Sequence, residues 1–125
     1  MIYNGKSEYE VIFYRNLRSG KSPVTDYIEN LGKKDRGKIF KYIEFLRMSD
    51  GYLDEPYSKH IKGEIRELRV DFARNRHRLF YFTLIGKKII LLHAFLKKTA
   101  KTPNSEIQKA EANYQDVLVN PKSYE

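Results

Sequence analysis

The chain contains no cysteine. That absence excludes a disulfide scaffold, a thiolate nucleophile and every zinc site built on thiolates. No apolar run is long enough to cross a bilayer, and the opening residues Met-Ile-Tyr-Asn-Gly-Lys-Ser-Glu do not form the apolar core of a secretory signal. The expected address is the cytoplasm. No glycine-rich phosphate loop follows a strand, no histidine pair has the spacing of a metal-binding helix, and no nucleophile elbow is visible. Neither a metal nor a cofactor is expected. No linker, repeat or low-complexity tract interrupts the sequence, so residues 1–125 read as one domain with room for one modest core.

What is present in excess is positive charge, a formal +8. On so small a domain this points to polyanions, nucleic acid first. The placement says more than the total. Between Lys59 and Lys101 twelve basic residues face three acids (Glu64, Glu67, Asp71), whereas the rest of the chain has twelve bases and thirteen acids. All three histidines, His60, His77 and His93, lie in the same window. A charge-rich stretch can be a solvated surface, but segregation this complete favours a working electrostatic face.

Periodicity gives the elements. Glu8 to Arg15 is rich in aromatic and β-branched residues and reads as a first strand. Ser22-Pro23 supplies an N-cap and a proline at the first helical position, Val24, Tyr27, Ile28 and Leu31 recur at helical spacing, and Gly32 ends that helix. A second helix runs from about Lys33 to Met48 on the stripe Ile39, Tyr42, Ile43 and Leu46, with Gly51 as its stop. Ile65–Val70, Arg76–Leu84 and Lys88–Phe95 then read as strands joined by short turns, an antiparallel meander. Ile89-Ile90-Leu91-Leu92 is apolar on both faces, which suits an interior strand covered on both sides. Thr102-Pro103 repeats the cap-and-proline signal before an amphipathic helix on Ile107, Ala110, Tyr114, Val117 and Leu118. Asn120–Glu125 are expected to fray. The order β-α-α-β-β-β-α predicts an α+β fold: a small antiparallel sheet, two helices on one face, and a C-terminal helix near the other.

Side chains alternate across a strand, so Glu67 and Arg69 share a face, as do Arg76 and Arg78. If Leu68, Leu79 and Tyr81 pack under the helices, those four charges converge on the opposite face. His93 joins from the last strand, and Lys97, Lys98 and Lys101 from the loop beyond it. One acid and one imidazole inside a cationic surface suit RNA cleavage without a metal. The ribose 2′-hydroxyl is the nucleophile, and the protein holds the phosphate in line, moves two protons and stabilises the pentavalent charge. Arginine matches phosphate oxygens with a planar fork, and histidine titrates near neutrality. Each residue also has a plainer reading. His93 could be a packed histidine beside Phe95, Glu67 could simply bridge Arg69 or Arg78, and Lys97-Lys98 could be a solvated turn. Arg78 is hardest to read as structural, because it interrupts an apolar strand where an unpaired guanidinium is costly. Tyr81 and Tyr114 read as packing residues.

The motifs Glu67-Leu68-Arg69, Arg78 followed by Leu-Phe-Tyr, and Leu92-His93-Ala94-Phe95-Leu96-Lys97-Lys98-Thr99, then Lys101-Thr102-Pro103 with Glu106-Ile107 and Ala110, resemble the phage-derived HigB-like branch of the RelE toxin superfamily. The resemblance spans most of the chain, and its most specific part is Leu91 to Ala110. It implies a RelE-like fold and the toxin of a bacterial type II toxin–antitoxin pair. Such toxins cleave mRNA, often at the ribosome, and their antitoxins commonly carry a helix-turn-helix domain. A HigA-like antitoxin in a hetero-oligomer is the partner implied. By the same resemblance Arg78 matches the arginine used at the scissile phosphate, and Lys97 and Lys98 match basic residues after the last strand. Two features depart from RelE. Ile65 and Glu67 stand where it has a lysine pair, and its C-terminal catalytic tyrosine has no clear counterpart.

The residues therefore expected to act in catalysis are Arg78, Glu67, His93 and Lys98, with Arg69, Arg76, Lys97 and Lys101 holding RNA. A non-catalytic RNA- or DNA-binding module using the same face, or a subunit whose basic groove takes an acidic peptide, would share this pattern.

Overall fold

The computed structural model describes residues 8–84 and 86–124. Its elements run β1 (Glu10–Phe13), α1 (Pro23–Glu29), α2 (Lys33–Met48), β2 (Ser58–Lys62), β3 (Ile65–Phe72), β4 (Asn75–Leu84), β5 (Lys88–Leu96) and α3 (Asn104–Val119), followed by a short 3-10 helix over Pro121–Tyr124. The fold is α+β, as expected. The strand order is β1-β5-β4-β3-β2, and β2 to β5 form the antiparallel part.

Two features of the sheet depart from the sequence reading. β1 lies parallel to β5, with Val11 opposite Ile89 and Phe13 opposite Leu91, so the sheet is mixed rather than wholly antiparallel. A strand pattern carries no record of its partner's direction. Here the connection between the two strands is long, running through α1, α2 and the whole β2–β4 meander, as a parallel pair requires. The second feature is β2, Ser-Lys-His-Ile-Lys, an edge strand that had no counterpart in the reading. It is polar and largely exposed, as suits an edge, and so lacks the alternation that reveals a strand.

Two apolar layers cover the sheet. Val24, Ile28, Ile39, Ile43 and Leu46 of α1 and α2 pack on Leu68, Val70, Leu79, Tyr81, Ile89 and Leu91. On the other side Ala110 and Val117 of α3 pack with Ile65, Phe80, Phe82, Ile90 and Leu92. β5 is thus covered on both faces, as its unbroken apolar run predicts. Tyr81 is fully buried with its hydroxyl 2.7 Å from Ser58 Oγ, and Tyr114 stands edge-on to Phe82 at 4.7 Å, so both are packing residues.

The ends of the elements mostly follow the sequence signals. Ser22 occupies the N-cap of α1, although its hydroxyl bonds the Tyr14 carbonyl (2.9 Å) instead of capping the helix. Asp50 and Gly51 end α2 with positive φ, and a Cβ on Gly51 would meet Thr83 Oγ1 at 2.8 Å, so only glycine fits. The cap of α3 is Pro103 rather than Thr102, because the Thr102 hydroxyl is turned to Glu67. The expected fraying of the C-terminus is overturned over Pro121–Tyr124. Tyr124 is buried in the α3-side core and its carbonyl accepts a hydrogen bond from Lys88 Nζ. Glu125, also in that expectation, lies outside the described residues.

Candidate functional site

Strand register arranges the α3-side face as a grid. Asp71 pairs with Arg76, and Lys97 N–H donates to the Arg76 carbonyl, which makes a first row of Asp71, Arg76 and Lys97. The next row is Arg69, Arg78 and Phe95, and the one beyond it Glu67, Phe80 and His93. Charge occupies one end of the face and apolar side chains under α3 the other. This is the convergence of Glu67, Arg69, Arg76 and Arg78 that alternation predicts.

His93 reaches this face through an irregularity. Phe80 pairs with His93 but Tyr81 pairs with Leu91, leaving Leu92 as an extra residue in β5. Strict alternation from Leu91 would have sent His93 under α1 and α2. The bulge places Leu92 and His93 together on the α3 side, a re-aiming that bulges commonly provide beside functional sites.

Within the grid, Glu67 is the hub. It is fully buried, yet one oxygen accepts from Arg69 Nε (3.1 Å) and lies 3.9 Å from Arg78 Nε, while the other accepts from the Thr102 hydroxyl at 3.2 Å. Arg78 is 4% exposed. Its Nη1 donates to Asp71 Oδ1 (2.6 Å) and to the His77 carbonyl (3.0 Å), but its Nε has no hydrogen-bond partner among the described residues. An unmatched donor on a buried guanidinium is costly, and an anionic oxygen could satisfy it only if the packing around Nε opened. Asp71, largely exposed, occupies the other side of the fork where a second such oxygen could bind.

The lysines divide. Lys97 is buried beside the cluster, whereas Lys98 and Lys101 are exposed. Burial lowers the proton affinity of Lys97, and the charges of Arg78, Arg69 and Arg76 lower it further, against the opposing pull of Glu67. An ammonium so placed loses its proton more readily than an ordinary lysine. The sequence reading gave catalysis to Lys98 and RNA contact to Lys97; by position, Lys97 is the one inside the cluster. Burial could not be read from a doublet of identical residues.

Both buried histidines have carboxylate partners brought in from elsewhere in the chain, which the sequence did not reveal. His93 stacks on Phe95, with ring planes 18° apart, and its Nε2 meets Glu106 Oε2 of the first turn of α3. His77 points to the opposite face, between the Tyr27 hydroxyl (2.6 Å) and Asp35 Oδ2 (2.7 Å), and Asn75 donates to the same carboxylate oxygen. Burial and the nearby Asp35 push the Tyr27 hydroxyl up to about 12, and bonds from Asn75 and His77 hold Asp35 below the ordinary carboxylate range. His60 lies on the exposed edge strand, bonded to the Gly63 carbonyl. Among the described residues no group of three His, Asp or Glu side chains could hold a metal ion.

The site can therefore grip a phosphate with a pair of guanidinium groups and offers three proton-transfer groups around it: Glu67, Lys97 and the His93–Glu106 pair. No helix among the described residues is long and apolar enough to cross a membrane. No curated protein matches the chain. Residues 26–115, which include the whole grid, match the family described as Phage derived protein Gp49-like (DUF891). The chain thus belongs to the Gp49-like family, a family of toxins from toxin–antitoxin systems within the RelE superfamily.

Proposed function

We propose that this toxin is an mRNA-cleaving endoribonuclease of the HigB-like branch, formed by a single toxin domain and working without a metal. The observation that carries the reading is Arg78, a buried guanidinium with an unmatched Nε, set between Glu67 and Asp71 and close to a lysine of lowered proton affinity. A purely structural arginine in so dry a position would be expected to satisfy every donor.

In the proposed reaction Arg78 and Arg69 clamp the scissile phosphate, displacing Asp71 from the fork. Arg76, Lys98 and Lys101 hold the flanking backbone. The 2′-hydroxyl loses its proton to Glu67 as its oxygen attacks phosphorus. The P–O5′ bond breaks and Lys97 protonates the departing oxygen, giving a 2′,3′-cyclic phosphate and a 5′-hydroxyl. His93, fixed by Glu106 and stacked on Phe95, lines the site and supplies a second route for the proton. The guanidinium pair contributes most, because charge develops on the phosphoryl oxygens next to two arginines that strand register already holds side by side.

Membership in the family implies an antitoxin partner. A helix-turn-helix antitoxin of the HigA type, forming a hetero-oligomer, fits the reading. The test is direct: purified protein is incubated with RNA in EDTA, and the product ends are mapped. Cyclic or opened 3′-phosphates are expected, with resistance of DNA and of RNA carrying a 2′-methoxy group at the scissile position. Binding should also weaken steeply with salt, with a slope of roughly 0.7 per phosphate neutralised on a single strand. Loss of cleavage on chelation, or cleavage of the 2′-methoxy substrate, would overturn the mechanism.

A further inference from the structure

The α2 side of the molecule carries a feature that RNA cleavage does not use. Tyr42, Phe45, Leu53 and Tyr57 line an apolar groove of about 320 Å³ between α2 and the start of β2. Tyr42 meets Phe45 at 5.8 Å and Tyr57 at 6.1 Å, with tilted or edge-on rings. Half of Tyr57 is exposed, as is more than a third of Phe45, and Tyr52 stands nearby, also exposed. So much aromatic surface around one concavity is unusual on a protein that works alone.

Cations border the groove. Lys38 lies over Tyr42 and Lys41 over Phe45, and the Arg66 guanidinium lies 4.9 Å over Tyr52, next in sequence to the lining residue Leu53. Along α2 six basic residues face two acids. This distribution discriminates among occupants. A second copy of the chain would bring Lys38, Lys41 and Arg66 against their own kind, which like-charge repulsion opposes. Nucleobases prefer open aromatic faces, but here a lysine already stands over Tyr42 and another over Phe45, and the rings are tilted against one another. An apolar side chain entering the groove, flanked by carboxylates that meet the cations, matches both features.

We propose that this groove docks an acidic amphipathic segment of the antitoxin, on the sheet face opposite Arg78. The proposal rests on the toxin assignment with its antitoxin partner, but not on RNA cleavage. Its consequence is that the antitoxin is held without its anchor entering the cationic grid.

The test measures binding of full-length protein to two probes: the protein encoded by the adjoining antitoxin reading frame, and a short oligouridylate. Tyr57→Ser and Phe45→Ser should each weaken the antitoxin about tenfold or more, the loss expected for a buried aromatic anchor. Lys41→Glu, a wholly surface change that tests the same site if an aromatic variant fails to fold, should weaken it more at low salt than at high salt. None should alter oligouridylate binding, and Arg78→Ala should leave antitoxin affinity within about twofold, a change well under 1.4 kcal/mol. Groove variants that bind the antitoxin as tightly as the parent would overturn the proposal. So would antitoxin lost through Arg78→Ala, oligouridylate lost through the groove variants, or a homodimer that the groove variants dissociate. If cleavage fails while the groove variants lose antitoxin, the nuclease reading falls and this one stands.

Discussion

The two faces of one sheet treat buried polar groups in opposite ways. Under α1 and α2, His77 is fully enclosed and has a partner on each ring nitrogen, Tyr27 on one side and Asp35 on the other. On the α3 side, Arg78 is almost as deeply buried, yet its Nε has no hydrogen-bond partner among the described residues and its ion pairs are with an exposed aspartate and a distant glutamate. Both arrangements contain charge in a dry place. The first closes a network that ties α1, α2 and β4 together. The second leaves one valence open on a buried donor. Depth of burial therefore does not distinguish the two groups, but completeness of partnering does.

The strongest way to break that comparison is to remove Arg78. Arg78→Ala should lower RNA cleavage on the order of 100- to 1,000-fold, the usual cost of losing one preorganised donor to a charged transition state. Arg78→Lys should recover little, since an ammonium cannot offer two parallel donors. Circular dichroism and thermal melting should show the fold retained. A fully active Arg78→Ala, or one that cannot fold, would place Arg78 with His77 among structural residues.

The converse change is His77→Ala. It removes a fully buried ring and leaves the Tyr27 hydroxyl without its partner, and should cost on the order of 2–3 kcal/mol in urea unfolding. The activity of the folded fraction should be unchanged. A large fall in cleavage with stability intact would mean that the network reaches across the sheet.

His93, on the same face as Arg78, also marks where the sequence stopped being informative. The α2 stripe and the three long strands announce themselves by period, and alternation alone put Glu67, Arg69 and Arg78 on one face. The position of His93 could not be derived that way, because a single extra residue at Leu92 inverts parity and nothing in Leu-Leu-His-Ala marks it. Glu106 lies thirteen residues from His93 and meets it only because α3 folds back over β5. The polar edge strand β2 and the docked Tyr124 were missed for the same reason. Their places are set by tertiary partners and not by local pattern.

Lys97 gives a subtler test, through pH. Its proton affinity is lowered in the folded state, first by burial and then by the surrounding arginines. The unfolded chain therefore binds more protons at this residue, and stability should rise with pH between the lowered value and the ordinary lysine range. The window is best read below pH 10, because Tyr27 and Tyr14, both pushed up to about 12, lose stability above the ordinary tyrosine range. Lys97→Met should abolish the rise and stabilise the protein at neutral pH while reducing cleavage. If the pH profiles of parent and variant coincide, the proton affinity of Lys97 is not lowered by folding, and the proposed proton donor falls.

The smallest expected effect concerns the turn that joins β3 to β4 beside the charged end of the grid. Ala73 and Arg74 both have positive φ, 48° and 71°, in a two-residue hairpin turn for which glycine is the natural occupant. A left-handed non-glycine residue costs about 1–2 kcal/mol. Glycine would relieve that strain but loses about 0.5–1 kcal/mol through its greater freedom in the unfolded chain. Arg74→Gly should thus stabilise by at most about 1.5 kcal/mol, a rise of several degrees in Tm for a domain of this size. Arg74 is exposed and lies outside the grid, so cleavage should be unchanged at moderate salt. The combination is what makes the variant useful. If activity falls as the turn relaxes, the strained hairpin is setting the spacing of Asp71, Arg76 and Lys97, and the open valence at Arg78 depends on backbone strain as well as on incomplete partnering.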